Sequence, residues 1–61
     1  MDNSEKAIYI LSYTNDGDDL TQKDLILVEM AVNGELNELG ETKFKTLYEQ
    51  IKTEGYNYPI L

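Results

Sequence analysis

Three stretches of the chain place apolar residues at helical spacing, and two turn-rich regions separate them. The middle stretch is the most apolar, because residues 25–32 contain a single charged side chain. A helix that is apolar on nearly all sides is buried against more than one neighbour. Thr21 and Asp24 precede it in the spacing of a capping box, and Gly34 follows it as a residue suited to closing a helix. The pattern predicts a central helix over 21–33.

The last third of the chain carries one apolar stripe. Its large apolar residues recur at i, i+3, i+4 and i+7, the repeat of one helix face: Phe44, Leu47, Tyr48 and Ile51. Asn37 is a favourable N-cap, and acidic residues follow it where the helix dipole favours negative charge. Gly55 is suited to the position after the last turn. We predict a helix over 37–53.

The first stretch allows two interpretations. Residues 7–14 are rich in β-branched and aromatic side chains, which favours a strand. Polar and apolar residues do not alternate there, however, and the nearby partner segment 56–61 is interrupted by proline. A helix over 4–15 would have Ser4 as N-cap and Gly17 as terminator. We take the helix as the first choice and keep the strand as the alternative. In the helix, the core-facing residues would be Ala7, Ile8 and Leu11, with Ile10 alongside.

These elements make an all-α fold, a single domain over residues 1–61 built as a three-helix mini-domain with an extended C-terminal tail. A chain of 61 residues is close to the lower limit at which one core can stabilise a fold. Self-association into a homodimer is one source of the missing stability. The tail after Gly55 allows two arrangements: it folds back over the core, or it extends as an arm to a partner.

Five segments form a pattern of their own: DGDDL (16–20), LILVE (25–29), AVNG (31–34), LNE (36–38) and GE (40–41). This pattern resembles a family of short bacterial and phage proteins. It covers the larger part of the chain and contains no catalytic motif. Members of that family are helical and have no known activity, so the resemblance implies a helical first stretch and no functional residue. Relatives continue with further aromatic residues beyond the position where this chain stops.

Charge and composition narrow the function more than the helices do. Twelve Asp and Glu stand against five Lys, with no Arg, which gives a formal net charge of −7 at pH 7. His and Cys are absent too, so an imidazole base, a thiolate nucleophile, a zinc–thiolate site and a disulfide are all excluded. Negative charge without Arg opposes direct binding to nucleic acid. We predict no enzymatic activity and no catalytic residue, cofactor or metal.

The turn at residues 15–19 is the densest acidic cluster. A calcium-binding loop supplies oxygens from alternate positions and ends in a bidentate Glu. A loop register that starts at Asp16 or at Asp18 places Leu20 at a ligand position, which opposes such a site. We interpret the acids mainly as partners of the neighbouring helix ends. A weak divalent-cation site at Asp16, Asp18 and Asp19 stays as the alternative.

The sequence also bears on location. No stretch reaches the roughly 20 apolar residues of a membrane span. Residues 1–6 lack the basic region that opens a signal peptide, and the absence of Cys fits a reducing compartment. We therefore expect no membrane association and a cytoplasmic location.

Tyrosine is the residue type that suggests a binding surface. In a helical first stretch, Tyr9 and Tyr13 are four residues apart and share one face, roughly opposite the core-facing residues. Tyr56 and Tyr58 lie in the tail. Tyr offers rigid contact area with a polar tip and is enriched at protein interfaces. We predict these four as partner-binding residues; the alternative is that they lie at the core boundary with their hydroxyl groups in water.

Together these observations favour a non-enzymatic protein-interaction module of unspecified partner, with a homodimer as one form. The alternative is a DNA-mimic inhibitor, in which surface carboxylates imitate phosphates and block a nucleic-acid-binding protein. Its negative edge would combine residues 16–19 with Glu35, Glu38 and Glu41. Lysines interrupt the third helix, which favours the interaction module over the mimic.

Overall fold

Three α-helices in succession form the fold in the computed structural model, which describes residues 2–57. They are α1 (Asn3–Tyr13), α2 (Gln22–Asn33) and α3 (Glu38–Glu54). The described part of the chain is all-α and contains no strand. This confirms the predicted fold class, and every helix end lies within two residues of its predicted position. The predicted extended tail lies, beyond residue 57, outside the described residues.

The central helix ends as its sequence predicts, and one half of its predicted capping box forms, whereas the amide of Thr21 donates to Tyr56 rather than to the carboxylate of Asp24. The Oγ1 atom of Thr21 accepts a hydrogen bond from the amide of Asp24 at 3.3 Å. Gly34 adopts the left-handed conformation, with φ 70°. Its amide donates to the carbonyl of Ala31, and the next amide donates to the carbonyl of Met30. This pair of bonds is a Schellman motif, which satisfies the carbonyls left without partners at a helix end.

The first stretch is a helix, so the strand alternative is wrong, but its two ends differ from the prediction. The N-cap is Asp2 rather than Ser4, and its carboxylate accepts from the amide of Glu5 at 2.9 Å. At the other end α1 stops before Gly17 is reached. Asn15 and Asp16 both take positive φ values of 57°, which ends the helix directly after Tyr13. Asn and Asp tolerate this region better than other side chains do.

The buried side of α1 is also rotated from the predicted one. Ala7, Ile10 and Thr14 are buried, Leu11 is half-buried, and Ile8 is 57% exposed. The prediction that Ile8 faces the core is therefore wrong. Because α1 packs against both other helices, its buried stripe follows i, i+3 and i+7 from Ala7, and position 8 falls outside it.

All three helices and the first turn contribute to one core. Its buried apolar residues are Ala7, Ile10, Leu20, Leu27, Val28, Ala31, Phe44, Leu47 and Ile51. Three of the four residues of the predicted α3 stripe are in this set, and the fourth, Tyr48, is half-buried at its edge. The apolar periodicity of α2 and α3 thus predicts most of the core correctly.

The hydroxyl group of Tyr56, two residues after the end of α3, forms hydrogen bonds with the start of α2. Tyr56 donates to the Oδ2 atom of Asp24 at 2.5 Å, and its oxygen accepts from the amide of Thr21 at 3.3 Å. Asp24 is fully buried at the start of α2. The two halves of the capping box are therefore joined through the tyrosine. We call this contact of Tyr56, Thr21 and Asp24 the tyrosine clasp.

The surroundings of the clasp favour the protonated tyrosine. Burial of the hydroxyl, and next its hydrogen bond to Asp24, raise the pKa of Tyr56 above its ordinary value of 10.0. The hydrogen bonds from Thr21 act in the opposite direction and offset part of this rise. An ionised Tyr56 would place a phenolate beside the carboxylate of Asp24.

The chain reaches the clasp by a turn at Gly55. This residue has φ 79° and ψ −179°, a backbone conformation essentially restricted to glycine. A β-carbon at Gly55 would lie 2.8 Å from the hydroxyl oxygen of Tyr13. The following amide of Asn57 donates to Oε1 of Gln50 at 3.0 Å. The end of α3 is thus connected both to α1 and, through Tyr56, to α2.

Gly17 offers a test of the packing in the first turn. We expect Gly17→Ala to destabilise the protein more than Gly34→Ala does. Both glycines have positive φ, which costs a side-chain-bearing residue about 1–2 kcal/mol. At Gly17 the added methyl would also lie 2.6 Å from Cδ1 of Leu25, whereas nothing lies within 4 Å at Gly34. Free energies of unfolding from urea titrations measure the difference; equal losses in the two variants would contradict this packing.

The clasp predicts a pH dependence. Because the pKa of Tyr56 is raised by folding, its stabilisation is fully present below pH 10, the unfolded value, and is lost as pH rises through the higher folded pKa. We expect Tyr56→Phe to lower the free energy of unfolding at pH 8 by about 1–3 kcal/mol, since Asp24 loses a buried donor. The gap between wild type and variant should narrow above pH 10. A gap that does not change with pH would contradict the clasp.

Candidate functional site

One face of the molecule combines aromatic rings from α1 and α3. The rings of Tyr9 and Tyr48 meet edge to face, with centroids 5.6 Å apart and planes inclined at 67°. Tyr9 is 38% exposed and Tyr48 is half-buried. Such aromatic pairs contribute about 0.5–1.5 kcal/mol beyond the area that they bury. The pair therefore holds α1 beside α3 and still presents aromatic surface to solvent.

Two lysines converge on the same aromatic pair. The Nζ atoms of Lys6 and Lys52 lie 5.3 Å and 5.7 Å from the centroid of the Tyr48 ring. Both distances are within the range of cation–π attraction. The spacing explains the arrangement, because Lys52 is one helical turn after Tyr48 and Lys6 is one turn before Tyr9. Within residues 2–57, neither lysine forms an ion pair with a carboxylate.

Tyr13 extends this face towards the end of α1. It is 55% exposed and lies one turn after Tyr9, on the exposed side of the helix that the spacing predicts. Its hydroxyl group lies against Gly55, where a β-carbon would clash with it. We call the surface formed by Lys6, Tyr9, Tyr13, Tyr48 and Lys52 the tyrosine–lysine strip. Its residues are contributed by two helices that pack against each other, α1 and α3.

Of the other two tyrosines predicted to bind a partner, the structure describes Tyr56. The hydroxyl group of Tyr56 is used inside the molecule, in the clasp at the start of α2. Tyr58 lies outside the described residues. Partner binding by Tyr56 and Tyr58 stays a prediction.

Sequence reasoning missed three members of the strip. The sequence predicts Tyr48 in the apolar stripe of the third helix, Lys6 in the first turn of the first helix, and Lys52 in the last turn of the third, where the helix dipole favours positive charge. The available signals were the i, i+3 spacing of Lys6 and Tyr9 and the i, i+4 spacing of Tyr48 and Lys52. Those spacings predict contacts within each helix. They do not show that Tyr48 would face Tyr9 and Lys6 across two helices.

The carboxylates lie mostly on the surface. All twelve are within residues 2–57, and all but Asp24 are exposed. The aspartates of residues 16–19 lie before α2, and Glu35, Glu38 and Glu41 lie after it. Since α2 has 12 residues, the two groups are separated by a helix about 18 Å long. The predicted acidic edge therefore consists of two clusters at opposite ends of α2.

The described residues contain no group of three acids placed to hold a metal ion, and this includes Asp16, Asp18 and Asp19. A cleft of about 60 Å³ is lined by Asn3, Ala31, Gly34, Leu36 and Glu41. Pockets for organic ligands are typically about 300–1,000 Å³, so this cleft accommodates little more than water. Among the helices that the structure describes, none combines the length and apolarity that crossing a membrane requires.

Comparisons with known proteins add no relative to this description. Neither the protein-family models, nor the curated proteins, nor the solved structures yield a significant match to this chain.

Proposed function

We propose that this protein is a non-enzymatic interaction module that binds another protein chain through the tyrosine–lysine strip. The observation that carries the proposal is the cluster of Tyr9, Tyr48, Lys6 and Lys52 across α1 and α3. Aromatic side chains, tyrosine among them, are enriched at protein interfaces.

The tyrosines of the strip already have contacts within the chain. Immobilising a mobile, rotamer-rich side chain during binding costs about 0.5–1.5 kcal/mol. Tyr9 and Tyr48 are held by each other, and Tyr13 is held against Gly55. Binding of a partner would therefore cost little further side-chain entropy at these tyrosines. Tyrosine adds a hydroxyl group that donates or accepts a hydrogen bond.

The strip also differs in charge from its surroundings. The chain carries a net charge of −7, and all of its carboxylates except that of Asp24 are exposed. Two of the five lysines lie together on the strip. Such a local cationic region on an acidic surface supplies orientation, because a partner with carboxylates opposite Lys6 and Lys52 would bind in one register.

Paired surface variants test the proposal. We expect Tyr9→Ser combined with Tyr13→Ser to abolish capture of a partner from a bacterial cytoplasmic extract, the source that the sequence predicts. The control is Ile26→Ser combined with Leu39→Ser, which removes two residues that are 48% and 63% exposed on other surfaces. Capture on immobilised protein, with circular dichroism as a check on folding, provides the measurement. Equal capture by both double variants would contradict the strip as the binding surface.

A DNA-mimic inhibitor is the second candidate function, and one observation favours it. The acids at the two ends of α2 are exposed, and within residues 2–57 none of these six carboxylates forms an ion pair with a lysine. Uncompensated surface carboxylates attract basic surfaces over a distance that salt reduces. In this candidate the acids bind the partner, and the tyrosines do not.

Competition with duplex DNA distinguishes the two candidates. A DNA mimic should displace duplex DNA from a basic DNA-binding protein, and raising salt from 50 to 200 mM should weaken the displacement steeply. Asp18→Asn with Asp19→Asn should reduce it, whereas Tyr9→Ser with Tyr13→Ser should not. Fluorescence anisotropy of labelled DNA follows the displacement. Displacement that is insensitive to salt, or lost with the tyrosines, would exclude mimicry.

A further inference from the structure

The capping box of α2 has a tyrosine hydroxyl inserted into it. In a complete box, the side chain three residues after the N-cap accepts a hydrogen bond from the amide of the N-cap residue. Here the amide of Thr21 donates to the oxygen of Tyr56, and that hydroxyl donates to the carboxylate of Asp24. The Oγ1 atom of Thr21 still accepts from the amide of Asp24. Tyr56 therefore takes the place of one direct bond and leaves the other intact.

The segment that carries Tyr56 is attached to the helices at few points. We call residues 55–57 the strap. Gly55 provides its turn, with φ 79° and ψ −179°, and the amide of Asn57 donates to Oε1 of Gln50. The ring of Tyr56 packs at the edge of the core and is only partly buried. A segment with few buried apolar contacts opens at a lower free energy than a helical core does.

The position of the strap against α2 and α3 also has unfavourable terms. Gln50 is 5% exposed, and within residues 2–57 its Nε2 atom has no hydrogen-bond partner. A buried donor without a partner is less stable than a solvated one. Asp24 is fully buried, although a carboxylate is more stable in water. Movement of the strap away from the helices would return both groups towards solvent.

We infer that the strap is a two-state device, in which the hydroxyl of Tyr56 competes with a direct bond between Thr21 and Asp24. In the closed state the hydroxyl lies between these two residues. In the open state the strap leaves, the amide of Thr21 donates to the carboxylate of Asp24, and the capping box is complete. The first turn of α2 is capped in both states, so opening does not require α2 to unfold.

Tyr13 holds the closed strap from the side of α1. Its hydroxyl oxygen would lie 2.8 Å from a β-carbon at Gly55, so the two residues are in close contact only because position 55 has no side chain. The device does not depend on the proposed function, because Thr21, Asp24 and Tyr56 lie outside the tyrosine–lysine strip.

Native-state hydrogen exchange tests whether the strap opens separately from the core. NMR follows the amide of Asn57, which is bonded to Gln50 in the closed state, and the amide of Val28, which is buried in α2. The protection factor of Asn57 should be at least about tenfold lower and should change little with urea below the unfolding transition, because local opening exposes little surface. The same protection factor and the same urea dependence at both amides would overturn the device.

Variants at Gly55 should shift the balance between the two states. Gly55→Ala should lower the protection factor of Asn57 about tenfold, because positive φ opposes a side chain and the methyl group meets Tyr13. Adding Tyr13→Phe removes the contacted hydroxyl and should recover part of this loss. Gly34→Ala is the matched control, since Gly34 also has positive φ but no atom within 4 Å. Equal losses at Asn57 in the control and in Gly55→Ala would contradict the closed contact.

The amide of Thr21 distinguishes a two-state device from a chain end that only frays. Tyr56→Ala should open the strap, and the amide of Thr21 should stay protected because Asp24 then accepts its hydrogen directly. Adding Asp24→Ala should lower the protection factor of Thr21 about tenfold. Exchange at Thr21 that is equally fast with and without Asp24 would show that the direct bond does not form, and the inference would be wrong.

A second measurement applies if the double variant does not fold, which circular dichroism reveals. In Tyr56→Ala alone, the chemical shift of the Thr21 amide proton should follow the titration of the carboxylate carbon of Asp24, because the proton is bonded to that group. A shift that does not follow this titration would overturn the direct bond.

Discussion

The buried carboxylate of Asp24 is the constraint on which the rest of the structure depends. A carboxylate without solvent must be satisfied by hydrogen-bond donors, since an unpaired buried charge is strongly destabilising. Asp24 is fully buried in the first turn of α2, where the helix dipole favours negative charge. Tyr56 brings its hydroxyl donor to this site from beyond α3. The end of α3 must therefore lie close to the beginning of α2.

That constraint also determines where the strip forms. With the end of α3 held near the start of α2, α3 runs antiparallel to α2 and parallel to α1. Tyr48 then lies at the level of Lys6 and Tyr9, and Gly55 lies at the level of Tyr13. The strip contains no residue of the clasp. Its alignment nevertheless depends on the same placement of α3.

Features set by local sequence are the ones that could be predicted. Thr21 and Asn37 cap their helices through side chains three residues from the amides that they satisfy, and Gly34 closes α2 through its own backbone. Asp and Ser are similarly favourable N-cap residues, so the sequence alone does not decide between Asp2 and Ser4. The structure shows that α1 uses Asp2. The exposure of Ile8 likewise depends on the rotation of α1 against two neighbours.

Contacts between distant residues could not be predicted from spacing. Tyr56 and Asp24 are 32 positions apart, and Tyr48 meets Lys6 and Tyr9 only because two helices run in parallel. Tyr9 and Tyr13 could be identified as an exposed pair because they share one helix face. Lys6 and Lys52 could not be identified as part of the strip. Their contacts with the ring of Tyr48 depend on how far α3 is shifted along α1, which the spacing of residues does not give.

Gly55 links the surface of the molecule to its stability. Its backbone turn brings Tyr56 to Asp24, and its missing side chain leaves room for the hydroxyl of Tyr13. A chain bound over Tyr13 would therefore also hold Gly55 in the conformation that the clasp requires. The free energies of binding and of unfolding are thermodynamically linked through this position. Occupancy of the strip would then make local opening at the start of α2 less favourable, even though no residue of α2 lies in the strip.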